Sequence, residues 1–223
     1  MGEFNFGYYD YKKKQTNRKN IHNKSDVIER CIANEMDSSY YDGPRGVGYG
    51  GYKYDGRWKE FMPKIIKRYN LTNKSKVLEL GCRKGFFLND IKEILPGIKI
   101  VGVEDHKYPL KKSLKSVKSK LKYIEKYYLI RYPKNYFDFV MCFNNIYRYN
   151  FTDMLKVFRV MEKVAKNKFI TVPGFETEKE KKQFENFSLT GQVILTKKDW
   201  LKLFKYTGYT GDYFFSSSKV FGL

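Results

Sequence analysis

The chain has 223 residues, 42% hydrophobic and 18% aromatic, enough to build one sizeable core and about the length of a single catalytic-size domain. Lys and Arg number 44 against 24 Asp and Glu, a net charge of +20 that favours an anionic partner such as RNA, a phosphorylated metabolite or an acidic membrane surface, although the same Lys, Asn, Tyr, Ile and Phe richness is what AT-rich coding places on a solvated surface. The three cysteines, Cys31, Cys82 and Cys142, are too far apart for a disulfide framework or a spaced metal site, and no run of about twenty apolar residues could span a bilayer, so a soluble chain of the reducing cytoplasm, without membrane insertion, is expected.

Residues 1–24 are polar, lysine-rich and aromatic without a sustained period. They lack the apolar centre of a signal peptide and read as an irregular, partly disordered arm. Asp26, followed three positions on by Glu29, predicts an N-cap, and Val27, Ile28, Cys31 and Ile32 give the apolar stripe of a short helix. Next, "YDGPRGVGYGGYKYDGRW" mixes six glycines with tyrosines and arginines and cannot hold a regular element for long. Phe61, Met62, Ile65, Ile66 and Tyr69 recur at helical spacing, with Pro63 tolerable only in a first turn.

From there the pattern alternates. Strands are expected at 77–80, 98–103, near 123–130, at 137–143 and at 169–172. Helices are expected at 85–95, 110–121 and about 152–165, the last with Met154, Leu155, Val157, Phe158, Met161 and Val164 on its apolar side. Strands separated by helices at this interval predict a parallel sheet covered on both faces. "ETEKEKKQF" reads as a charged helix surface, and "TKKDWLKLFKYTGY" as a helix capped by Thr196 and ended by Gly208. "YFFSSSKVFGL" reads as two short strands whose tight connection would make them antiparallel. No internal repeat is present.

In an open parallel sheet the ligand crevice lies outside the carboxyl ends of the strands. Glu79 stands two residues before Gly81, inside the first strand, and Glu104 closes the second, 25 positions later. A carboxylate there can accept both hydroxyls of a ribose, while glycines in the first turn let backbone approach a ligand. The G-x-G-x-x-G of a dinucleotide site fails, because Arg83 and Phe86 hold its later glycine positions. An acid just before the turn suits a ligand without phosphate and with a cationic centre, as S-adenosylmethionine presents.

"VLELGCRKGFF", with "VGVE" after it and "NYFDFVMCFNNIYRY" later, resembles motifs I, II and IV of class I S-adenosylmethionine-dependent methyltransferases, over roughly Trp58 to Val172. "GYGGYKYDGRW" and "YTGYTGDY" are similar to flanking blocks of a bacterial, type 11-like subgroup associated with small molecules and polysaccharides. The resemblance implies an enzyme of α/β, Rossmann-like fold, its central sheet mostly parallel with helices on both faces and an antiparallel C-terminal strand pair. It implies an arm and Gly/Tyr-rich lid segment over 1–57 and a methyltransferase domain over 58–223. It also implies that S-adenosylmethionine is the cofactor, that Glu79, Gly81, Cys82 and Gly85 shape its methionine side, that Glu104 holds the ribose, that Asp105 and His106 border the adenine, and that Asn144 contributes from motif IV. Two departures stand out: Arg83 replaces the second glycine of the motif, and the acid that often ends strand three is replaced around Glu125 and Lys126. Pointing outward, Arg83 would leave the pocket intact; pointing inward, it would reach a substrate phosphate or carboxylate, or weaken cofactor binding.

Methyl transfer from a sulfonium is an in-line displacement, so alignment and exclusion of water dominate, and a base is useful only for a hydroxyl or protonated amine acceptor. Tyr147 is the candidate to orient or deprotonate such an acceptor; the other reading is an aromatic packed on the sheet. Tyr49, Tyr52, Tyr54, Arg57 and Trp58 either fold over the cofactor as a lid, with Arg45 and Arg57 gripping an anion, or form an aromatic hook tying the arm to the core. Tyr49, Tyr54, Arg57 and Arg83 are thus the substrate-binding candidates. Residues 143–146 read Phe-Asn-Asn-Ile rather than Asn-Pro-Pro-Tyr, which argues against nucleobase amino methylation. The expected function is methyl transfer, preferentially to oxygen, on a small anionic sugar, nucleotide-sugar or phosphorylated metabolite in surface polysaccharide or secondary metabolite biosynthesis. The alternatives are an RNA or protein methyltransferase, or a non-catalytic binding module with a degenerate pocket.

Overall fold

The computed structural model describes residues 1–10 and 26–223. Helices α1 (Val27–Asn34) and α2 (Ser38–Asp42) precede α3 (Trp58–Tyr69), after which strands and helices alternate. These are β1 (Lys76–Leu80), α4 (Phe86–Ile94), β2 (Lys99–Glu104), α5 (Lys107–Lys111), β3 (Leu121–Tyr123), β4 (Phe137–Cys142), α6 (Phe151–Val164) and β5 (Ala165–Val172). The chain ends with β6 (Gly174–Phe175), α7 (Glu178–Phe187), β7 (Leu195–Thr196), α8 (Lys197–Thr207), β8 (Asp212–Phe215) and α9 (Ser218–Phe221). The main sheet has the order β3-β2-β1-β4-β5-β8 with every pairing parallel, and β6 and β7 form a separate two-stranded parallel sheet.

Both faces of the main sheet are covered, as apolar runs in parallel strands require. Along β4, Phe139 and Met141 face a core that includes Phe61, Met62 and Ile65 of α3 and Phe87 and Ile91 of α4. Val140 and Cys142 face the opposite core, with Met154, Val157, Phe158 and Met161 of α6 and Trp200 and Phe204 of α8. All six carboxyl strand ends lie along one edge of the sheet. The capping box of Asp26 and Glu29 starts α1, and Thr196 and a left-handed Gly208 bound α8, as their residue types predict.

Four expectations are corrected. The carboxy-terminal strands are not an antiparallel pair: α8 carries the chain back across the sheet, so β8 enters parallel to β5, and the segment after it turns into α9. The helix expected over 110–121 stops at Lys111, because the Leu114 N–H donates to the Lys84 carbonyl instead of continuing the helix. The strand expected near 123–130 ends at Tyr123, and residues 127–129 form a 3-10 turn that buries Tyr127. Helix α3 starts at Trp58, which puts Pro63 in its second turn and leaves the exposed Lys59 carbonyl without that N–H partner.

The arm also departs from expectation where it is described. Glu3 bridges Tyr213 of β8 in parallel, the Phe4 N–H donates to the Tyr213 carbonyl at 2.8 Å, and the Tyr213 N–H donates to the Gly2 carbonyl at 3.1 Å. Phe6 is buried against Phe169, Trp58, Phe61 and Phe143. This segment covers the free edge of β8; the rest of the expected irregular arm, residues 11–24, lies outside the described residues. Among the described residues no helix is long and apolar enough to cross a membrane.

Candidate functional site

The turn after β1 is clipped to β2. The N–H groups of Gly81 and Cys82 both donate to the Val103 carbonyl, at 2.9 and 3.1 Å, and the Gly85 N–H donates to the Cys82 carbonyl at 2.8 Å. Gly81, Arg83 and Gly85 all have positive φ, at 76°, 52° and 80°. A Cβ on Gly81 would lie 1.9 Å from Asn145 Nδ2, so only glycine fits there. The Cys82 side chain is buried, its sulfur packed against Gly102 of β2.

Glu104, fully buried, uses Oε2 to accept the Arg83 N–H at 2.8 Å, while its Oε1 has no hydrogen-bond partner. Burial pushes the Glu104 carboxyl up. Buried Glu79, inside β1, likewise has an unpartnered Oε2, and burial pushes it well up despite the lowering influence of Arg83. Asp105 is saturated: it accepts from Tyr127 and Tyr149 hydroxyls at 3.0 Å each and lies 2.7 Å from His106 Nδ1. Burial alone would raise Asp105; the His106 hydrogen bond and the Arg148 charge overcome it and hold the carboxyl well below its usual range. For His106, burial opposes the cation, but the hydrogen bond to Asp105 and the nearby Glu104 carboxyl raise it to about 8.

Arg83 points inward. Its Nη2 donates to the carbonyls of Phe143 and Asn144, at 3.1 and 2.9 Å, so the side chain crosses from the β1 turn to the end of β4. Above it the glycine-tyrosine block closes down. Buried Lys84 donates to both oxygens of Asp42, at 2.6 and 2.9 Å, and to the Tyr52 carbonyl at 2.9 Å. The Tyr108 hydroxyl donates to the same carboxylate. Tyr41 stacks with Tyr49, and Tyr52 stacks on Phe86 at 4.7 Å. The two readings of this block divide between its halves: Tyr41, Tyr49 and Tyr52 cover the turn, whereas Trp58 hooks to the arm through Tyr8, 4.7 Å away, and Phe6.

A recess of about 110 Å³ opens beside the end of β4, lined among others by Tyr40, Arg45, Tyr49, Asn144, Tyr147 and Ser188. Asn144, at φ 48°, is pinned: its Oδ1 accepts from the Tyr9 and Thr171 hydroxyls at 2.7 and 2.8 Å. Tyr147 is buried, and its carbonyl accepts from the N–H groups of Gln192 and Val193. The recess therefore joins Tyr49, Asn144 and Tyr147 from the sequence-level candidates. Tyr54 and Arg57 are not part of it. The Tyr54 hydroxyl donates to Asp90 at 2.5 Å and its ring packs on Phe86; Arg57 pairs with Asp55 at 2.7 Å.

Tyr40, Ser188, Tyr127, Arg148 and the Asp42–Lys84 pair were not singled out by the sequence. Lys84 sits inside the glycine turn and Arg148 four residues past Asn144, so both carried a positional signal. The Tyr127 and Ser188 segments carried none. Glu125, near the expected strand-three acid, is exposed.

Residues 78–170 match the family described as methyltransferase domain. The fold is also that of solved structures. One, a Bacillus halodurans protein assigned as a methyltransferase, is 16% identical, with a TM-score of 0.52 over 66% of this chain and 68% of that one. Another, a Galdieria sulphuraria protein assigned as a sarcosine dimethylglycine methyltransferase, is 17% identical, with a TM-score of 0.53 over 68% and 61%. A third is Haemonchus contortus phosphoethanolamine N-methyltransferase 2 in complex with phosphomonomethylethanolamine and S-adenosylhomocysteine. It is 17% identical, with a TM-score of 0.52, and the match covers 79% of this chain but 41% of that one. No curated protein matches the sequence significantly.

Proposed function

We propose that the chain is a class I S-adenosylmethionine-dependent methyltransferase, and that it methylates a small anionic acceptor seated in the recess beside Asn144 and Tyr147. The observation that carries this reading is the recess itself, which adjoins the carboxyl end of β4 and has Arg45 in its wall. An arginine fork matches a carboxylate or phosphate. The acceptor class we favour is a sugar, nucleotide-sugar or phosphorylated metabolite, methylated on oxygen during surface polysaccharide or secondary metabolite synthesis in the cytoplasm. In the same reading, residues 58–223 form the catalytic domain and 1–57 its arm and lid.

The residues present fit the cofactor. Glu104 offers a buried carboxylate oxygen with no partner, as a ribose hydroxyl would require, and Glu79 offers another to a cation. Gly81, Cys82 and Gly85 give the close backbone approach, Asp105 and His106 flank the nucleoside end, and Asn144 lies toward the acceptor. When bound, S-adenosylmethionine supplies a methyl group on an electrophilic sulfonium. The chain's own share is to align the acceptor, exclude water under the tyrosines of the lid, and place the Tyr147 side chain where it orients an acceptor hydroxyl or takes its proton.

Calorimetric titration with S-adenosylmethionine, S-adenosylhomocysteine and NAD tests the premise: binding of the first two and not the third is expected. Glu104→Ala should weaken cofactor binding by about 1–3 kcal/mol, the worth of hydrogen bonds to a charged group; unchanged affinity overturns the ribose assignment. With an acceptor in hand from screening, Arg45→Ala should raise its KM while cofactor affinity stays put. A KM equal to that of the wild type removes the recess from the acceptor site.

A further inference from the structure

Why an arginine stands in the glycine turn is answered by what surrounds it. Arg83 is 7% exposed, and among the described residues its guanidinium has no carboxylate within ion-pair distance. Its partners are two neutral backbone carbonyls, and Tyr40, Tyr41, Tyr49 and Tyr52 stand around it. A buried guanidinium calls for an anion, because carbonyls return only part of the lost hydration. Glu79 is buried nearby in β1, four residues before Arg83, and its Oε2 has no hydrogen-bond partner. The crevice between β1 and β4, where the strand order reverses, thus holds a buried guanidinium and a buried carboxyl group that are not bonded to each other. Such a pair is complementary to a zwitterion.

The amino-acid end of S-adenosylmethionine is a zwitterion with carboxylate and ammonium on one carbon. If Glu104, at the end of β2, takes the ribose, that end of the ligand extends toward β1 and β4. We propose that Arg83 binds the cofactor's carboxylate, its guanidinium exchanging the Phe143 and Asn144 carbonyls for the two carboxylate oxygens, while Glu79 faces the ammonium. A planar fork suits that exchange, since two parallel hydrogen bonds to an anionic carboxylate replace two to neutral carbonyls. The inference rests on the ribose reading of Glu104, which sets the direction of the ligand. It also gives the departure from glycine a function: the position holds an arginine because the ligand's anion lies opposite it.

The test compares S-adenosylmethionine with decarboxylated S-adenosylmethionine, which keeps the nucleoside, sulfonium and ammonium and lacks only the carboxylate. Binding is measured by calorimetry on the full chain. The wild type should prefer the carboxylated ligand by about 10- to 100-fold, as charge-assisted hydrogen bonds to one group allow. In Arg83→Ala the preference should collapse to less than about threefold, through loss of affinity for S-adenosylmethionine alone; Arg83→Lys should restore part of it. Should Arg83→Ala not fold, Arg83→Gln provides the same contrast. An unchanged preference in the variant overturns the proposal and leaves the arginine to the acceptor. A gain in affinity for both ligands overturns it too, and makes Arg83 a plug. Glu104→Ala, measured alongside, should weaken both ligands alike. If it leaves both unchanged the ribose reading fails, whereas the role of Arg83 is decided by the preference ratio alone.

Discussion

His106 gives the fold a pH dependence that can be read in a denaturation experiment. Its Nδ1 lies 2.7 Å from Asp105 Oδ1 and 3.5 Å from Glu104 Oε1, and its side chain is 25% exposed. Burial disfavours the imidazolium, yet the hydrogen bond to Asp105 and the nearby Glu104 carboxyl raise the group from its ordinary 6.5 to about 8. A group raised on folding adds stability that is fully present below its unfolded value and disappears as pH climbs through its folded one, here between pH 6.5 and about 8. The difference corresponds to about 2 kcal/mol. Asp105, held far below this window, stays ionised throughout it and adds nothing to the change. Urea denaturation of the wild type and His106→Gln at pH 6 and pH 9 isolates the effect of His106 and the carboxyls coupled to it, because titrations elsewhere are common to both proteins. The stability gap between them should be about 2 kcal/mol wider at pH 6 than at pH 9. A gap of equal size at both pH values would show that no imidazolium is held between these acids, and the hydrogen-bond network around Asp105 would have to be redrawn.

Three further substitutions probe the site and its support. Gly81→Ala combines φ 76° with a Cβ only 1.9 Å from Asn145 Nδ2, whereas Gly208→Ala, at φ 70°, meets nothing within 4 Å. The second should cost about 1 kcal/mol from the left-handed backbone alone, and the first clearly more, with loss of cofactor binding; equal melting temperatures for the two variants would contradict the packing of the turn on Asn145. Trp200→Phe removes the indole N–H that donates to the buried Pro173 carbonyl at 2.5 Å. Leaving that acceptor unsatisfied should cost about 1–3 kcal/mol, and a denaturation midpoint within error of the wild type would refute it.

What could be read from sequence alone was what depends on near neighbours. β1, the turn and α4 follow from an apolar run, two glycines and a helical stripe within twenty positions, and Glu104 follows from its place at the end of the next strand. The caps of α1 and α8 are equally local. The direction of β8 was not legible, because it depends on which side of the sheet α8 crosses, and the two short apolar runs read the same in either direction. Tyr127, Arg148 and the Asp42–Lys84 clasp were hidden for a related reason: each takes its role from a partner 22 to 43 residues away.

Arg83 shows most clearly where pattern stops. Its residue type departs from a glycine position, which leaves inward and outward placements equally open. Placement is decided by a backbone at φ 52°, by the Glu104 oxygen that holds its N–H, and by two carbonyls at the end of β4. None of these can be inferred from the eleven letters of the motif. Once they are known, the same substitution that looked like damage to a cofactor turn becomes a buried cation held by two carbonyls with no carboxylate beside it among the described residues, and the direction of a single side chain is what the ligand comparison tests.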